Sequence, residues 1–272
     1  MAVTECKRTV PPAVREAFGV AGDEVPLGGG EGVSVRIGRV VLKRVHDVDE
    51  AEWTQGLQAR LKEDGFRIAA PVPTLTGRWT QDGWSASRFV DGLRPAAPAW
   101  PLVAAVGLRF SDAAEAARHG GGAETLAART HRWAVADRVA WGEARVDLPS
   151  AASAVATELE ALLGDPPRDR QVVHGDLTGN VYVDRDDVPV VLDFSPYLRP
   201  REWAEAIVVA DAVLWNGAPL LLAQSFAASA RGRDHLGRAL FFRLVAEQLA
   251  AEPRHGAELE PYRRVQSALH RP

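Results

Sequence analysis

Three side chains able to do phosphate chemistry fall within one short stretch, residues 172–195. Asp176 follows His174-Gly175, Asn180 comes four residues later, and Asp193 closes an apolar run ahead of Phe194-Ser195. Two apolar runs, 181–183 and 188–192, flank an acidic turn at 185–187, the pattern of a β-hairpin. With the turn centred on Asp186 and Asp187, Val183 faces Val190, Val181 faces Leu192, and Asn180 faces Asp193. Directly opposed residues of an antiparallel pair lie roughly 5 Å apart. An amide and a carboxylate would then sit side by side at the open end of the hairpin, with Asp176 in the loop feeding it. Hard oxygen ligands beside a third carboxylate suit a magnesium ion that also holds phosphate oxygens.

Those residues need elements to position them. Pro11-Pro12 ahead of Ala-Val-Arg-Glu-Ala-Phe and Gly19 predicts a short helix, with Pro at its start and Gly past its end. The glycines Gly28, Gly29, Gly30 and Gly32 precede an alternating strand, 33–37, and free backbone N–H groups to approach an anion. No Gly-Lys-Ser/Thr follows and a strand comes next, which excludes a Walker-type loop. In the next strand, 39–45, the period of two places Val41, Lys43 and Val45 on one face. A lysine between two valines on an inward face is costly unless it meets an anion such as the phosphates of ATP. Helical periodicity follows over 49–62, and a hairpin turning at Asp82-Gly83 leads to Phe89-Val90-Asp91-Gly92. The Pro/Ala-rich stretch 94–101 then marks a boundary between residues 1–91 and residues 92–272. Beyond it the pattern turns helical, over about 100–118, 130–144, 150–163, 201–215, 219–230, 235–251 and 256–269. Strands first and helices second is an α+β pattern. Within 207–215 Asp211 interrupts an apolar run, and a buried carboxylate needs partners.

The central stretch resembles the catalytic core of the aminoglycoside phosphotransferase and choline kinase-like families, distant relatives of protein kinases, through His174-Gly175-Asp176-Leu177 with Asn180 and then Leu192-Asp193-Phe194. The chain is also similar to actinobacterial members of that superfamily. The resemblance implies a protein kinase-like two-lobe fold. Its small N-terminal lobe would be an antiparallel sheet with a helix, binding nucleotide, and its larger, mainly helical C-terminal lobe would hold catalysis and substrate. It implies that Asp176 orients the acceptor and accepts its proton, and that Asn180 and Asp193 hold Mg²⁺ on ATP. The glycines would cover the phosphates, Lys43 would contact them, and Glu52, or else Glu50, would pair with Lys43. The backbone at Phe89 and Val90 would form the hinge that takes adenine. His174 would pack beneath the loop, and Asp211 would brace the backbone around it. One departure stands out: the family's spacing from Asp to Asn is five residues, and here it is four.

The activity so implied is transfer of the γ-phosphate of ATP to a hydroxyl of a small molecule, either aminoglycoside-like or a metabolite. The short loop, and Ser195 where Gly is usual, keep open a nucleotide-binding scaffold with little or no turnover. A protein kinase fits less well, because the chain has His-Gly-Asp and Asp-Phe-Ser and lacks a downstream Ala-Pro-Glu.

Composition sets limits around this. The 272 residues are 46% hydrophobic and 25% charged, ordinary for a globular chain. A net charge of −4 gives no electrostatic case for nucleic acid or an anionic membrane as partner. The single cysteine, Cys6, excludes an internal disulfide framework and suits a reducing cytoplasm. The seven histidines show no metal-ligand spacing. No secretory signal is legible at the start, and no run approaches the roughly 18 apolar residues of a membrane span.

Overall fold

The structure, a computed structural model, describes residues 9–28, 34–252 and 258–269. The N-terminal region is an antiparallel sheet. Strands β1 (Glu24–Leu27), β2 (Ser34–Ile37), β3 (Val40–Arg44), β5 (Thr80–Gln81) and β6 (Trp84–Arg88) lie in the order β1-β2-β3-β6-β5. Helix α1 (Pro12–Ala17) carries Pro at its first turn, where the missing N–H has no helical partner to lose. Alternation along the strands sends Val35, Ile37, Leu42, Trp84 and Ala86 to one face, where they bury against Val10, Val14 and Phe18. The β5–β6 turn falls at Asp82-Gly83 as the sequence indicates. Both residues have positive φ, 49° and 74°, the conformation that a two-residue hairpin turn of matching twist requires.

Helix α2 (Val48–Gln58) follows β3 and starts where the Asp47 carboxylate accepts the Glu50 N–H at 3.0 Å. Its Trp53 and Leu57 join the larger core rather than the sheet's own. Two-residue β4 (Arg67–Ile68) runs parallel to β10 (Pro189–Val191), which pairs antiparallel with β9 (Val181–Val183); β7 (Arg94–Pro95) completes this second sheet. A third, two-stranded ladder joins β8 (Gln171–His174) to β11 (Pro196–Arg199).

The rest is helical, giving ten helices among the described residues: α3 (Trp100–Ala117), α4 (Gly122–Ala128), α5 (Arg132–Ala140), α6 (Ser150–Glu160), α7 (Trp203–Trp215), α8 (Leu220–Phe226), α9 (Ala230–Gln248) and α10 (Glu260–Leu269). This is the kinase-like α+β architecture, an antiparallel sheet lobe followed by a mainly helical part. Helix α7 is apolar apart from Glu205 and Asp211 and is buried among α3, α8 and α9, as such a helix must be. Several boundaries differ from the sequence pattern: the helix expected over 49–62 ends at Gln58, that over 130–144 spans Arg132–Ala140, and α4 falls outside the expected helices. The helix expected over 219–230 ends at Phe226, and α9 begins well before 235, because the Ser229 hydroxyl accepts the Gly232 N–H at 3.0 Å and caps a new helix. Among the described residues no helix is long and apolar enough to cross a membrane.

The hairpin exists, but its register differs by one from the expected pairing. Val183 faces Pro189, Tyr182 faces Val190 and Val181 faces Val191, so Asn180 stands opposite Leu192, whose N–H donates to the Asn180 carbonyl at 3.0 Å. The cause lies in the turn. Asp184 Oδ1 accepts from the N–H of both Asp186 and Val188, Asp187 N–H donates to the Asp184 carbonyl, and Asp187 adopts φ 60°. The loop is thereby three residues long, with its last residue left-handed, instead of two.

Candidate active site

The loop carrying Asp176 is fixed from beneath. β8 delivers His174, which is fully buried, with its ring 5.5 Å from Phe110 and 5.4 Å from Phe194. Burial pulls its pKa down to about 4, so the imidazole is neutral at physiological pH. The Asp176 N–H donates to His174 Nδ1 at 3.0 Å, which assigns the imidazole proton to Nε2. Leu177, fully buried, pins the loop into the core against Gly107 of α3. Burying such a leucine contributes roughly 1.5–3 kcal/mol. Gly175 N–H donates to the Ser195 carbonyl at 2.9 Å, tying the loop to the segment after Asp193.

The four-residue spacing from Asp176 to Asn180 closes through a tight turn. Asn180 N–H donates to the Leu177 carbonyl at 2.9 Å, and Gly179 takes φ 83°, which a residue with a Cβ adopts only under strain. The Asn180 side chain consequently lies against Asp176. Its Nδ2 donates to the Asp176 carbonyl at 2.7 Å and to Asp176 Oδ2 at 3.2 Å. That leaves the Asn180 amide oxygen as the atom able to take a metal.

Across the cleft, Lys43 of β3 forms an ion pair with Asp193, and both side chains are partly exposed. Val41, Lys43 and Val45 line the cleft together, while Leu42 points to the sheet's core, as the period of two requires. Asp211 is buried on α7 and reaches Asp176 through an intermediary: Arg243 of α9 holds Asp211 with Nε and Nη2, both at 2.7 Å, and its Nη2 also donates to Asp176 Oδ1 at 2.9 Å. Burial opposes the arginine's charge, but the Asp211 and Asp176 carboxylates override it and raise its pKa above the ordinary range.

Other expected positions fall elsewhere. Glu52 does not meet Lys43. Its carboxylate accepts from Thr80 Oγ1 at 2.6 Å, from the N–H groups of Thr80 and Trp79, and from Arg78, which fastens α2 to β5. Glu50 faces the cleft but is engaged by buried Arg129 at 2.9 Å, with His131 at 3.7 Å. Burial works against the Glu50 carboxylate, and those partners outweigh it and hold its pKa below the usual range. Phe89 and Val90 do not line the cleft; Phe89 N–H donates to the Arg39 carbonyl at 2.9 Å and its ring lies 3.9 Å from the Arg36 guanidinium. A Cβ at Gly28 would meet nothing within 4 Å, and Gly29, Gly30 and Gly32 lie outside the described residues.

The cleft encloses about 960 Å³. Part of its lining is Val41, Ala69, Ala97 and Leu192, small and apolar as a flat heterocycle needs. Arg132, Trp133, Trp215, Asn216 and Glu247 line it as well. Among the described residues no cluster of three or more His, Cys, Asp or Glu side chains is placed to hold a metal by itself. The slipped register sets Asn180 opposite Leu192 rather than Asp193, so the two are not a directly opposed pair; both line the cleft, and each carries the hard oxygen donor that Mg²⁺ takes when phosphates and water complete its shell. Arg243 and Arg129 line the cleft and were not singled out in the sequence. The signal was present for Arg243, a charge inside the apolar run 239–246, the same anomaly that singled out Asp211.

No family model matches this chain, and no curated protein matches it. Solved structures do. A thermostable mutant of aminoglycoside phosphotransferase APH(4)-Ia, in its apo form, is 20% identical, with a TM-score of 0.57 over 94% of this chain and 95% of that one. Spectinomycin phosphotransferase APH(9)-Ia, in complex with ADP and spectinomycin, is 12% identical, with a TM-score of 0.51 over 96% and 93%. A putative fructosamine-3-kinase from Thermobifida fusca is 20% identical, with a TM-score of 0.50 over 97% and 99%. At these identities the likeness establishes the fold: the chain has the kinase-like fold seen in aminoglycoside phosphotransferases.

Proposed function

We propose that this chain is an ATP- and Mg²⁺-dependent phosphotransferase that moves the γ-phosphate to a hydroxyl of a small molecule. The observation that carries the reading is the meeting of Lys43 and Asp193 across the cleft, with Asn180 and Asp176 beside them. Residues 1–91 then act as the nucleotide-binding lobe, and residues 92–272 as the catalytic and substrate-binding lobe. A cytoplasmic setting, where ATP is abundant, suits the single cysteine.

In this reading, nucleotide phosphates separate Lys43 from Asp193, and the lysine exchanges a carboxylate for phosphate oxygens. Asp193 and the Asn180 amide oxygen would hold Mg²⁺. When bound, that ion neutralises charge on the phosphate oxygens. Asp176 orients the acceptor hydroxyl through Oδ2 and receives its proton, since Oδ1 is occupied by Arg243. Catalysis is then positioning and charge neutralisation rather than covalent chemistry. The fold neighbours include one holding ADP and spectinomycin, which supports a cleft shared by nucleotide and a small hydroxylated acceptor. A second reading, a nucleotide-binding scaffold, draws on one observation: Asn180 already donates to Asp176 Oδ2, so both carboxylate oxygens have partners within the protein.

Thermal unfolding with ATP, GTP and ADP, each with and without Mg²⁺, tests the reading. A nucleotide at about 100 times its Kd adds roughly 2.7 kcal/mol, or about 5–10 °C in Tm for a chain of this size. Asp193→Ala is expected to lose the Mg²⁺-dependent part of the shift. Asp176→Ala is expected to keep it while abolishing transfer. Turnover by the Asp176 variant equal to wild type refutes the mechanism, and the absence of any shift refutes nucleotide binding.

A further inference from the structure

Arg243 stands where a stability argument alone does not put it. Its side chain is 4% exposed and Asp211 is 5% exposed, and the two already form a complete side-on pair through Nε and Nη2. The remaining N–H of Nη2 is aimed at Asp176, which is 38% exposed at the cleft. Elsewhere a buried arginine fills its fork from the protein interior: Arg238 takes Asp234 and the carbonyls of Ala140 and Gly164. Arg243 instead directs a donor at the cleft. The buried guanidinium lies 5.1 Å from the Phe242 ring and 5.4 Å from that of Trp133. A planar fork pinned along one edge directs the donor at the other, so Asp176 Oδ1 is held from α7 and α9, while Asn180 of its own loop holds Oδ2.

We propose that Arg243 is the positioning residue for Asp176: anchored on Asp211, it fixes the carboxylate rotamer and presents Oδ2 to the acceptor. The kinetic part of this inference rests on the phosphotransferase reading, and the placement rests on geometry alone.

Two variants test it. Arg243→Lys keeps the charge but cannot bridge two carboxylates with a rigid fork. The double variant D211N/R243Q removes both charges of the buried pair together, so no uncompensated ion remains inside. Each is examined by crystallography without nucleotide, by Mg-ATP thermal shift, and by Mg-ATP hydrolysis with water as acceptor. The expected result is that Asp176 leaves its present rotamer in the double variant. The Mg-ATP shift and KM for ATP are expected to stay within about twofold of wild type, and kcat to fall roughly 100-fold, the effect of misplacing a reacting group by about 1 Å. Arg243→Lys should lie between. A structure of either variant in which Asp176 keeps its rotamer overturns the proposal, as does a kcat within about threefold of wild type. A wild-type protein without any nucleotide shift or hydrolysis instead refutes the phosphotransferase reading, and the crystallographic rotamer then still decides the placement. Should the double variant not fold, Arg243→Lys supplies both measurements.

Discussion

Gly175→Ala is the smallest change expected to damage the site. Gly175 does not have a positive φ, so space and not torsion makes glycine necessary there. A Cβ at this position would lie 2.3 Å from both Cδ2 and Cε2 of Tyr197. Carbon atoms pack at about 3.5–4.0 Å, so more than about 1 Å of clearance must be found. Tyr197 cannot give it. Its ring is buried, edge-on to Trp203 at 5.5 Å and to Phe242 at 5.7 Å, with the Arg129 guanidinium 4.7 Å above it. The loop backbone must move instead, which stretches the 2.9 Å bond from Gly175 N–H to the Ser195 carbonyl and carries Asp176 with it. Overpacking of this kind costs about 1–3 kcal/mol, or several degrees in Tm at this chain length. A shift of about 1 Å at Asp176 lowers turnover roughly 100-fold. Scanning calorimetry and Mg-ATP turnover read the two effects. Gly120→Ala is the control, since nothing lies within 4 Å of a Cβ there, and it should change stability by less than about 0.5 kcal/mol. Gly175→Ala melting and turning over like wild type refutes the steric account of the His-Gly-Asp motif.

Stability should fall as pH drops, in two legs. Burial holds His174 at about 4 in the folded chain against 6.5 for the free group, so the unfolded state binds the extra proton first. Its contribution is complete above pH 6.5 and is lost down to about pH 4, on the order of 3 kcal/mol at about 1.4 kcal/mol per unit; His174→Gln should flatten this leg in chemical denaturation. Burial opposes ionisation of Glu143 and Asp234, but Arg199 and Arg170 around the first, and His235, Arg238 and the Gly164 N–H around the second, pull each down to about 2. The stability these carboxylates supply is present above about pH 4.5 and is lost as pH falls toward 2, which acid titration of E143Q and D234N should blunt. Glu50→Ala removes the carboxylate from buried Arg129, which keeps, among the described residues, the carbonyls of Leu126 and Pro196 and the face of Tyr197. A loss of about 1–3 kcal/mol is expected by urea denaturation, and no measurable change would show that the contact between α2 and Arg129 is energetically neutral.

By itself the sequence carried the strands-then-helices order, the hairpin, the Asp82-Gly83 turn, the inward face of Lys43 and the clustering of Asp176, Asn180 and Asp193 in one short stretch. All of these are local signals, set by a period of two, a turn dipeptide or a spacing along the chain. What it could not carry was decided by side chains meeting across distance. The hairpin register slipped by one because Asp184 bonds the N–H groups of Asp186 and Val188 and lengthens the turn. The short loop closes because Gly179 turns left-handed and lays Asn180 against Asp176. The choice between Glu50 and Glu52 hung on the rotation of α2. Residues two apart on a helix point to opposite sides, so once Asp47 caps the helix, Glu50 turns to Arg129 and Glu52 to Thr80. Neither meets Lys43, whose partner, Asp193, lies 150 residues away. The placement of Arg243 against Asp176 likewise needed the packing of α9 on α7, because an arginine's partner is fixed by which helices lie side by side, and no spacing within one helix encodes that.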